Sequence, residues 1–367
     1  MSDRRPSRRH ELVASIGQGA MLLTEDGEVV AINVAAEELL GLGRPAGTKP
    51  AGTKPTGTSR NLTSAALSSP ALIDAVAAVW RTGEPGIVDA VVGDRHLRAS
   101  ASLVRDEVLL LLSDRTQERR VEELRRDFVV NASHELKTPV TSIQTLADAL
   151  TVVVHDRPDR VPALVARLRD ESERLAALVH DLLDLRRLEE RGSAEHDRVD
   201  LAEVLRQVAA AQFGRAEAAG VELSVEAPDH LVLLGAEGDL RVMVQNLLAN
   251  AITYHRAGGE VRLRLHETGG GARSRDRGVT AGEVVPTDRL AELTIADTGI
   301  GIPPADLPRV FERFYRVDTG RSRATGGTGL GLAIVRHAVE QAGGAIHLDS
   351  EPDHGTTVTV RLPVRTR

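Results

Sequence analysis

The side chains best suited to covalent chemistry lie in residues 126–139, where His134 and Glu135 are adjacent. A neutral imidazole is a nucleophile, and a neighbouring carboxylate can accept the proton from its other ring nitrogen. The pair therefore predicts transfer of a group to the imidazole. An exposed His-Glu pair is more often a solvated helix face, so the surrounding pattern must decide between the two interpretations.

The helix that carries His134 is indicated by apolar residues at three- and four-residue spacing. The predicted buried stripe consists of Leu124, Phe128, Ala132, Leu136, Val140, Ile143, Ala147, Leu150 and Val154. At about 100° per residue, His134 lies roughly 200° from Ala132 and Leu136 and should point to solvent. Pro139 removes a backbone donor one turn later, which should bend the helix.

The run Ser-His-Glu-Leu-Lys-Thr-Pro at 133–139, preceded by Arg-Arg-Asp-Phe, resembles the phosphoacceptor box of sensor histidine kinases, especially the PhoR-like group. The resemblance implies that His134 accepts a phosphoryl group from ATP, with Glu135 as the base. It also implies transfer to an aspartate in the receiver domain of a response regulator. Thr138 completes a His-Glu-x-x-Thr pattern, which implies a second activity as a phosphatase of that regulator.

Composition bounds the class of protein. The 367 residues, 41% of them hydrophobic and 27% charged, indicate a soluble multidomain chain of about two or three domains. Because cysteine is absent, disulfides and thiolate metal sites are excluded. The net charge of −7 argues against a nucleic-acid-binding surface. No apolar run approaches the roughly 18 residues of a membrane span. We expect a cytoplasmic protein, or one whose membrane part lies outside this chain.

A basic tail, residues 1–10, precedes a small α/β domain predicted at 11–113. A hairpin is indicated at 20–23 and 29–32, with a short helix at 33–40. This pattern and the Asp-Arg-Thr at 114–116 resemble a PAS sensor domain and its exit; an unrelated α+β domain is the alternative. The repeated Ala-Gly-Thr-Lys-Pro is poor in apolar residues and predicts a disordered insertion at 45–60.

Residues 114–191 predict two long amphipathic helices with a break around Pro158. The second apolar stripe consists of Leu164, Leu168, Leu175, Leu178, Leu182 and Leu185. A two-helix hairpin cannot bury both apolar faces alone, so pairing with a second copy in a four-helix bundle is expected. The sequence therefore predicts a homodimer through the helical hairpin.

Residues 198–367 alternate between helical and strand patterns. Helices are expected at 201–219 and 239–254, and strands at 221–225, 231–234, 261–265, 290–296 and 357–362. Between two of these strands, residues 267–287 are rich in glycine and arginine and predict a flexible loop.

Four motifs in this region point to a nucleotide. Asn246 and Asn250 share one helix face, Asp-Thr-Gly-Ile-Gly occupies 297–301, Gly-Gly-Thr-Gly-Leu-Gly-Leu occupies 326–332, and Gly-Thr-Thr occupies 355–357. Glycines at a helix start let backbone amides approach phosphate, although a lone glycine run is more often a flexible turn. Together and in this order the motifs resemble the N, G1, G2 and G3 boxes of the Bergerat ATP-binding fold, an α/β sandwich, with 310–315 as the F box.

The resemblance implies roles for the matched residues. Asp297 would accept the adenine amino group, Gly299 and Gly301 would shape the adenine pocket, and Asn250 would bind Mg²⁺. Asn246 would support the phosphate side. The glycine loop would close over the phosphates at the end of a lid from about 312 to 328. Further ATP-binding residues implied by the boxes are Tyr254, Gly327, Thr328, Gly329, Leu330, Gly331 and Thr356. Cationic candidates in the lid are Arg313, Arg316, Arg321 and Arg323.

One position departs from the family. Where the family commonly has lysine, three residues after Asn250, this chain has Thr253. Loss of that cation would remove charge stabilisation from phosphoryl transfer, unless a lid arginine replaces it. An ATP-binding scaffold or phosphatase with impaired kinase activity is therefore one alternative. An ATP hydrolase is another, but it needs a glutamate base where Asn246 stands.

Overall fold

The computed structural model describes residues 8–42, 69–190, 197–256, 258–269, 278–317 and 327–364. The chain divides into two compact units, Met1–Val129 and Val130–Arg367. The predicted insertion at 45–60 and most of the basic tail lie outside the described residues. Among the helices that are described, none combines the length and the apolar character needed to cross a membrane.

The first unit is built on an antiparallel five-stranded sheet in the order β2-β1-β5-β4-β3. Its elements are α1 (Arg8–Ala14), β1 (Gly19–Leu23), β2 (Val29–Ile32), α2 (Val34–Leu39), α3 (Pro70–Thr82), β3 (Gly86–Val92), β4 (Arg95–Val104) and β5 (Glu107–Asp114). The predicted hairpin forms, with Leu22 opposite Ala31. The predicted helix follows it, capped by Asn33, whose Oδ1 accepts from the Ala36 N–H.

The exit from this sheet is fixed by side-chain hydrogen bonds. Asp114 Oδ1 accepts from the hydroxyl of Thr116 at 2.5 Å and from its N–H at 2.8 Å. Both hydrogen bonds lower the pKa of Asp114, and the bond from the Thr116 hydroxyl has the larger effect. Thr116 Oγ1 also accepts from the N–H of His96 on β4 at 2.9 Å. The first residue of the next helix, α4 (Thr116–Asp156), is therefore anchored to the sheet.

The hairpin pairs α4 with α5 (Val161–Glu190), and the predicted break is a 3₁₀ turn at Pro158–Arg160. Helix α4 runs through Pro139 without interruption. Of the predicted stripe, Ala132 is buried and Leu136, Ile143 and Leu150 are partly buried. Val140, Ala147 and Val154, further along the stripe, are exposed. The prediction that these three side chains are buried is therefore wrong for the single chain. One partner helix covers only a narrow strip, whereas a broad stripe needs cover on two sides.

The rest of the second unit is an α/β sandwich. Its elements are β6 (Asp197–Asp200), α6 (Leu201–Ala218), β7 (Glu222–Glu226), β8 (Val232–Gly235), α7 (Glu237–Thr253), β9 (Glu260–Gly269), β10 (Val279–Gly282), β11 (Arg289–Asp297), α8 (Gly331–Gln341), β12 (Ala345–Glu351) and β13 (Gly355–Pro363). Six strands form one sheet in the order β10-β12-β13-β11-β9-β7, and β6 pairs with β8. Buried Leu263, Leu293 and Val360 alternate with polar residues, so one face of the sheet supplies the core beneath the helices.

The predicted loop at 267–287 is wrong in part. Strand β9 continues to Gly269, and β10 pairs with β12, placing Thr280 opposite His347. An edge strand is held by backbone hydrogen bonds, so its poverty in apolar side chains did not prevent pairing. Residues 270–277 lie outside the described part of the chain.

Candidate functional site

His134 lies on α4 with its side chain exposed, as its position on the helix predicts. It lines a groove of about 730 Å³ between α4 and α5. Thr138, one turn further on, lines the same groove and donates from Oγ1 to the carbonyl of His134 at 3.2 Å. Arg167 of α5 faces the groove from the other side. The imidazole is therefore open to an incoming reactant, with the Thr138 hydroxyl one turn away on the same groove.

Glu135 is partly buried beside His134. Both residues lie in the described part of the chain, and no hydrogen bond joins their side chains, because successive helical residues point about 100° apart. The role of Glu135 as the base for His134 therefore stays a prediction.

Asp297 ends β11 and is held by two backbone donors. Its Oδ1 accepts from the N–H of Gly299 at 2.8 Å and from the N–H of Thr356 at 3.2 Å. Burial raises the pKa of Asp297 to about 6, although both backbone hydrogen bonds lower it. The carboxylate is thus fixed and poorly hydrated, and Oδ2 is left for a donor group of a ligand.

The backbone beside Asp297 leaves no room for side chains. A Cβ on Gly299 would lie 2.6 Å from Asp297 Oδ1 and would collide with the Tyr254 carbonyl. Gly301, at a φ of +69°, would collide through a Cβ with the carbonyl of Glu351. The two glycines predicted for the adenine pocket are therefore required by close backbone packing.

Ser350 contributes to the same corner, although none of the four sequence motifs includes it. Its Oγ lies 2.9 Å from Thr356 Oγ1 and accepts from the N–H of Ile302 at 2.9 Å. Ser350 thereby joins the loop after β11 to the start of β13, which also supplies the Thr356 N–H. Its only sequence signal was its place in β12, a strand that was not predicted.

Asn246 and Asn250 of α7 both face the first residue of α8. A Cβ built on Gly331 would lie 2.8 Å from Asn246 Oδ1 and 3.7 Å from Asn250 Nδ2. Asn246 is oriented by its own donation to the carbonyl of Val242 at 2.9 Å. Free amides at a helix start favour anions, so two side-chain amides and the α8 terminus form a polar site fit for phosphate.

The glycine loop is ordered around the same terminus. The Tyr254 hydroxyl would lie 2.7 Å from a Cβ on Gly327. The carbonyl of Gly329 accepts from the N–H of Phe314 at 2.8 Å. Leu330 is fully buried, and its N–H donates to Thr328 Oγ1 at 3.2 Å. The described loop residues therefore lie beside the two amides and Tyr254.

Two contacts join this loop region to α5, and no sequence motif indicated either of them. Thr328 Oγ1 donates to Asp181 Oδ2 at 2.6 Å, and Arg313 pairs with Glu189. Arg313, predicted to neutralise phosphate, is therefore engaged by a carboxylate of the hairpin. Two other lid arginines, Arg321 and Arg323, lie outside the described residues.

The side chains at this site determine whether it could hold a divalent cation. Among the described residues no group of three or more His, Cys, Asp or Glu side chains could hold a metal ion. The amide oxygen of Asn250 is a hard ligand of the kind that Mg²⁺ accepts together with phosphate oxygens and water. The residues present thus fit a cation that arrives with a nucleotide.

Comparison with known proteins agrees with this geometry. Residues 124–191 match the His Kinase A (phospho-acceptor) domain, and residues 235–366 match the histidine kinase-, DNA gyrase B- and HSP90-like ATPase family. Sensor-like histidine kinase SenX3 of Mycolicibacterium smegmatis is 37% identical over 275 residues, covering 73% of this chain and 66% of the relative. Sensor histidine kinase WalK of Bacillus subtilis is 31% identical over 262 residues, covering 71% and 40%.

The chain thus spans slightly less than two thirds of SenX3 and less than half of WalK. The phosphate regulon sensor protein PhoR of Pseudomonas aeruginosa aligns over 359 residues at 32% identity, which is 96% of this chain and 73% of the relative. Because both family domains are present and PhoR aligns with 96% of this chain, the chain belongs to the PhoR-like sensor histidine kinases.

Proposed function

We propose that this chain is a protein-histidine kinase that phosphorylates His134 from ATP and passes the phosphoryl group to an aspartate of a response regulator. The observation that carries the proposal is the meeting of Asn246, Asn250 and Gly331 beside the glycine loop. This polar site lies in the same compact unit as the exposed His134.

The nucleotide would be bound from both ends. Asp297 accepts the adenine amino group through its free oxygen, in a pocket bounded by Gly299, Gly301, Thr356 and Tyr254. The α8 terminus and the loop bind the phosphates, with Asn246 alongside. The loop residues involved are Gly327, Thr328, Gly329, Leu330 and Gly331. Asn250 would hold Mg²⁺, which neutralises charge on the phosphates. Arg313 can reach phosphate only after it leaves Glu189.

The chemical step is an in-line displacement at the γ-phosphorus. Nε2 of His134 forms the new N–P bond as the bond from phosphorus to the ADP oxygen breaks. The Nδ1 proton passes to Glu135, so the phosphorylated ring stays neutral. The phosphoryl group then moves from Nε2 to the regulator's aspartate, and His134 recovers its proton. Thr138, beside His134, orients water when the regulator is dephosphorylated.

A homodimer through the hairpin belongs to the proposal. Six apolar side chains on the described parts of the two helices are 40–50% exposed in the single chain. They are Val130, Val140, Val154, Val165, Val179 and Leu183. Burying them against a second copy would complete a four-helix bundle. Sedimentation should give a dimer at micromolar concentration, and a monomer there would contradict this part of the proposal.

The first unit is proposed to be a PAS sensor domain. Its support is the antiparallel order β2-β1-β5-β4-β3 with α2 and α3 between the second and third strands. The Asp114–Thr116 hydrogen bonds, which anchor the start of α4, provide a route by which a change in the sheet could reach the helix.

The proposal is tested by incubating the protein with [γ-³²P]ATP and Mg²⁺. We expect acid-labile, alkali-stable label on the wild type and none on His134→Gln, which preserves size and polarity. Exposed His155, near the end of the same helix, supplies the matched control, His155→Gln, which should be labelled normally. ATP binding without label would favour the scaffold alternative that Thr253 raises, and label surviving in His134→Gln would reject this acceptor.

A further inference from the structure

Arg215, in the last turn of α6, reaches across to the end of α7. Its Nη2 donates to the hydroxyl of Thr253 at 3.0 Å. Thr253 occupies the position where lysine is common in the family. The structure therefore brings a permanent positive charge from a neighbouring helix to the place where the sequence lacks one.

The helical position of Thr253 relates this charge to the nucleotide site. Seven residues separate Thr253 from Asn246, which places the two side chains about 20° apart around α7. Three residues separate it from Asn250, or about 60°. The hydrogen bond thus holds the Arg215 guanidinium toward the face of α7 that carries both amides.

Two other described arginines of this unit are paired with carboxylates. Arg256 pairs with Asp353, and Arg313 pairs with Glu189. Arg215 has no carboxylate partner among the described residues, and its one hydrogen bond is to a neutral hydroxyl. A guanidinium bonded to a hydroxyl keeps most of its donors for an anion such as phosphate.

We infer that Arg215 binds the phosphate groups of ATP, and that Thr253 positions its guanidinium. The inference rests on the proposed function, because it takes ATP as the ligand of this site. The pair does the work of a single lysine: one residue supplies the charge and the other fixes its direction. A charge-assisted hydrogen bond to phosphate is roughly twice as strong as a neutral one, so its loss should be measurable.

The test is calorimetric titration of the full chain with Mg-ATP. We expect Arg215→Ala to raise the Kd about tenfold and Arg215→Lys to recover part of that loss. Arg264→Ala is the charge-matched control. Arg264 lies on the exposed side of β9, paired with Glu226, so its removal should leave the Kd unchanged.

Position 253 supplies the rescue. Thr253→Lys added to Arg215→Ala should restore ATP binding, because the lysine brings a cation to the same helix face. Thr253→Val should weaken binding while Thr253→Ser should not, since only serine retains the hydroxyl that accepts from Arg215.

The outcomes separate the inference from the proposed function. If the wild type does not bind ATP, the proposed function fails. If the wild type binds and Arg215→Ala binds equally well, the inference is overturned. It is also overturned if Arg215→Ala weakens binding only together with a lower unfolding temperature in the absence of ATP, and Thr253→Lys does not restore it.

Discussion

The Thr328 hydroxyl donates a 2.6 Å hydrogen bond to the carboxylate of Asp181, so the glycine loop of the ATP-binding region is tied to α5 of the hairpin. Burial raises the pKa of Asp181, the Thr328 bond lowers it, and the nearby charge of Asp184 raises it further. A partly buried carboxyl group thus lies against the loop that we propose to bind the phosphates.

Removing this charge should strengthen ATP binding. Asp181→Asn keeps the shape and an acceptor for Thr328 but removes repulsion of the triphosphate, so we expect the Kd for Mg-ATP to fall several-fold, on the order of 1 kcal/mol. The control is Asp170→Asn, an exposed carboxylate three turns earlier on α5. Equal affinities for the wild type and Asp181→Asn would show that the contact does not oppose the nucleotide.

Asp297 should make stability depend on pH. Burial raises its pKa to about 6 from an ordinary 3.8. Between these values the folded state holds a proton that the unfolded state has released, so folded stability falls as pH rises through the window. The free energy of unfolding falls by up to about 3 kcal/mol, and this decrease is complete above pH 6. Asp297→Asn removes this penalty.

Chemical unfolding of the nucleotide-free protein would measure the effect. At pH 8 Asp297→Asn should be more stable than the wild type, and near pH 4 the difference should shrink. The same variant should bind ATP more weakly at pH 8. If the amide oxygen keeps the bonds from the N–H groups of Gly299 and Thr356, the NH₂ group, a donor, faces the adenine amino group in place of an acceptor. An offset in stability that is identical at both pH values would argue against burial as its cause.

The local features of this chain were predictable because they repeat over a few residues. The exposure of His134 follows from a helical period, and the Asn246–Asn250 face follows from a spacing of four. The hydrogen bond from Thr328 to Asp181 joins residues 147 positions apart, and the bond from Arg215 to Thr253 joins residues 38 positions apart. No local sequence pattern indicates which residues pair in either bond. Strand β10 was not predicted, because the pairing of an edge strand depends on backbone donors and acceptors, which amino-acid composition does not record.

Thr138 should matter for phosphatase activity and little for kinase activity. Its Oγ1 lies at the groove, bonded to the His134 carbonyl at 3.2 Å, so it is placed to hold water beside the imidazole. Thr138→Ala should slow dephosphorylation of the phosphorylated response regulator about tenfold or more while labelling of His134 persists. Thr138→Ser, which retains the hydroxyl, should keep most of the phosphatase rate. A parallel loss of both activities would instead indicate a damaged helix.

Gly331 tests the phosphate site by volume alone. A Cβ there would lie 2.8 Å from Asn246 Oδ1, closer than real Cβ contacts allow, so Gly331→Ala must displace the amide or the start of α8. We expect ATP affinity to fall about tenfold or more. Gly238→Ala is the matched control, since its Cβ would meet nothing within 4 Å near the start of α7. That control should stabilise the fold by about 0.5–1 kcal/mol and bind ATP normally. Normal ATP binding by Gly331→Ala would place the phosphates away from Asn246 and the α8 terminus.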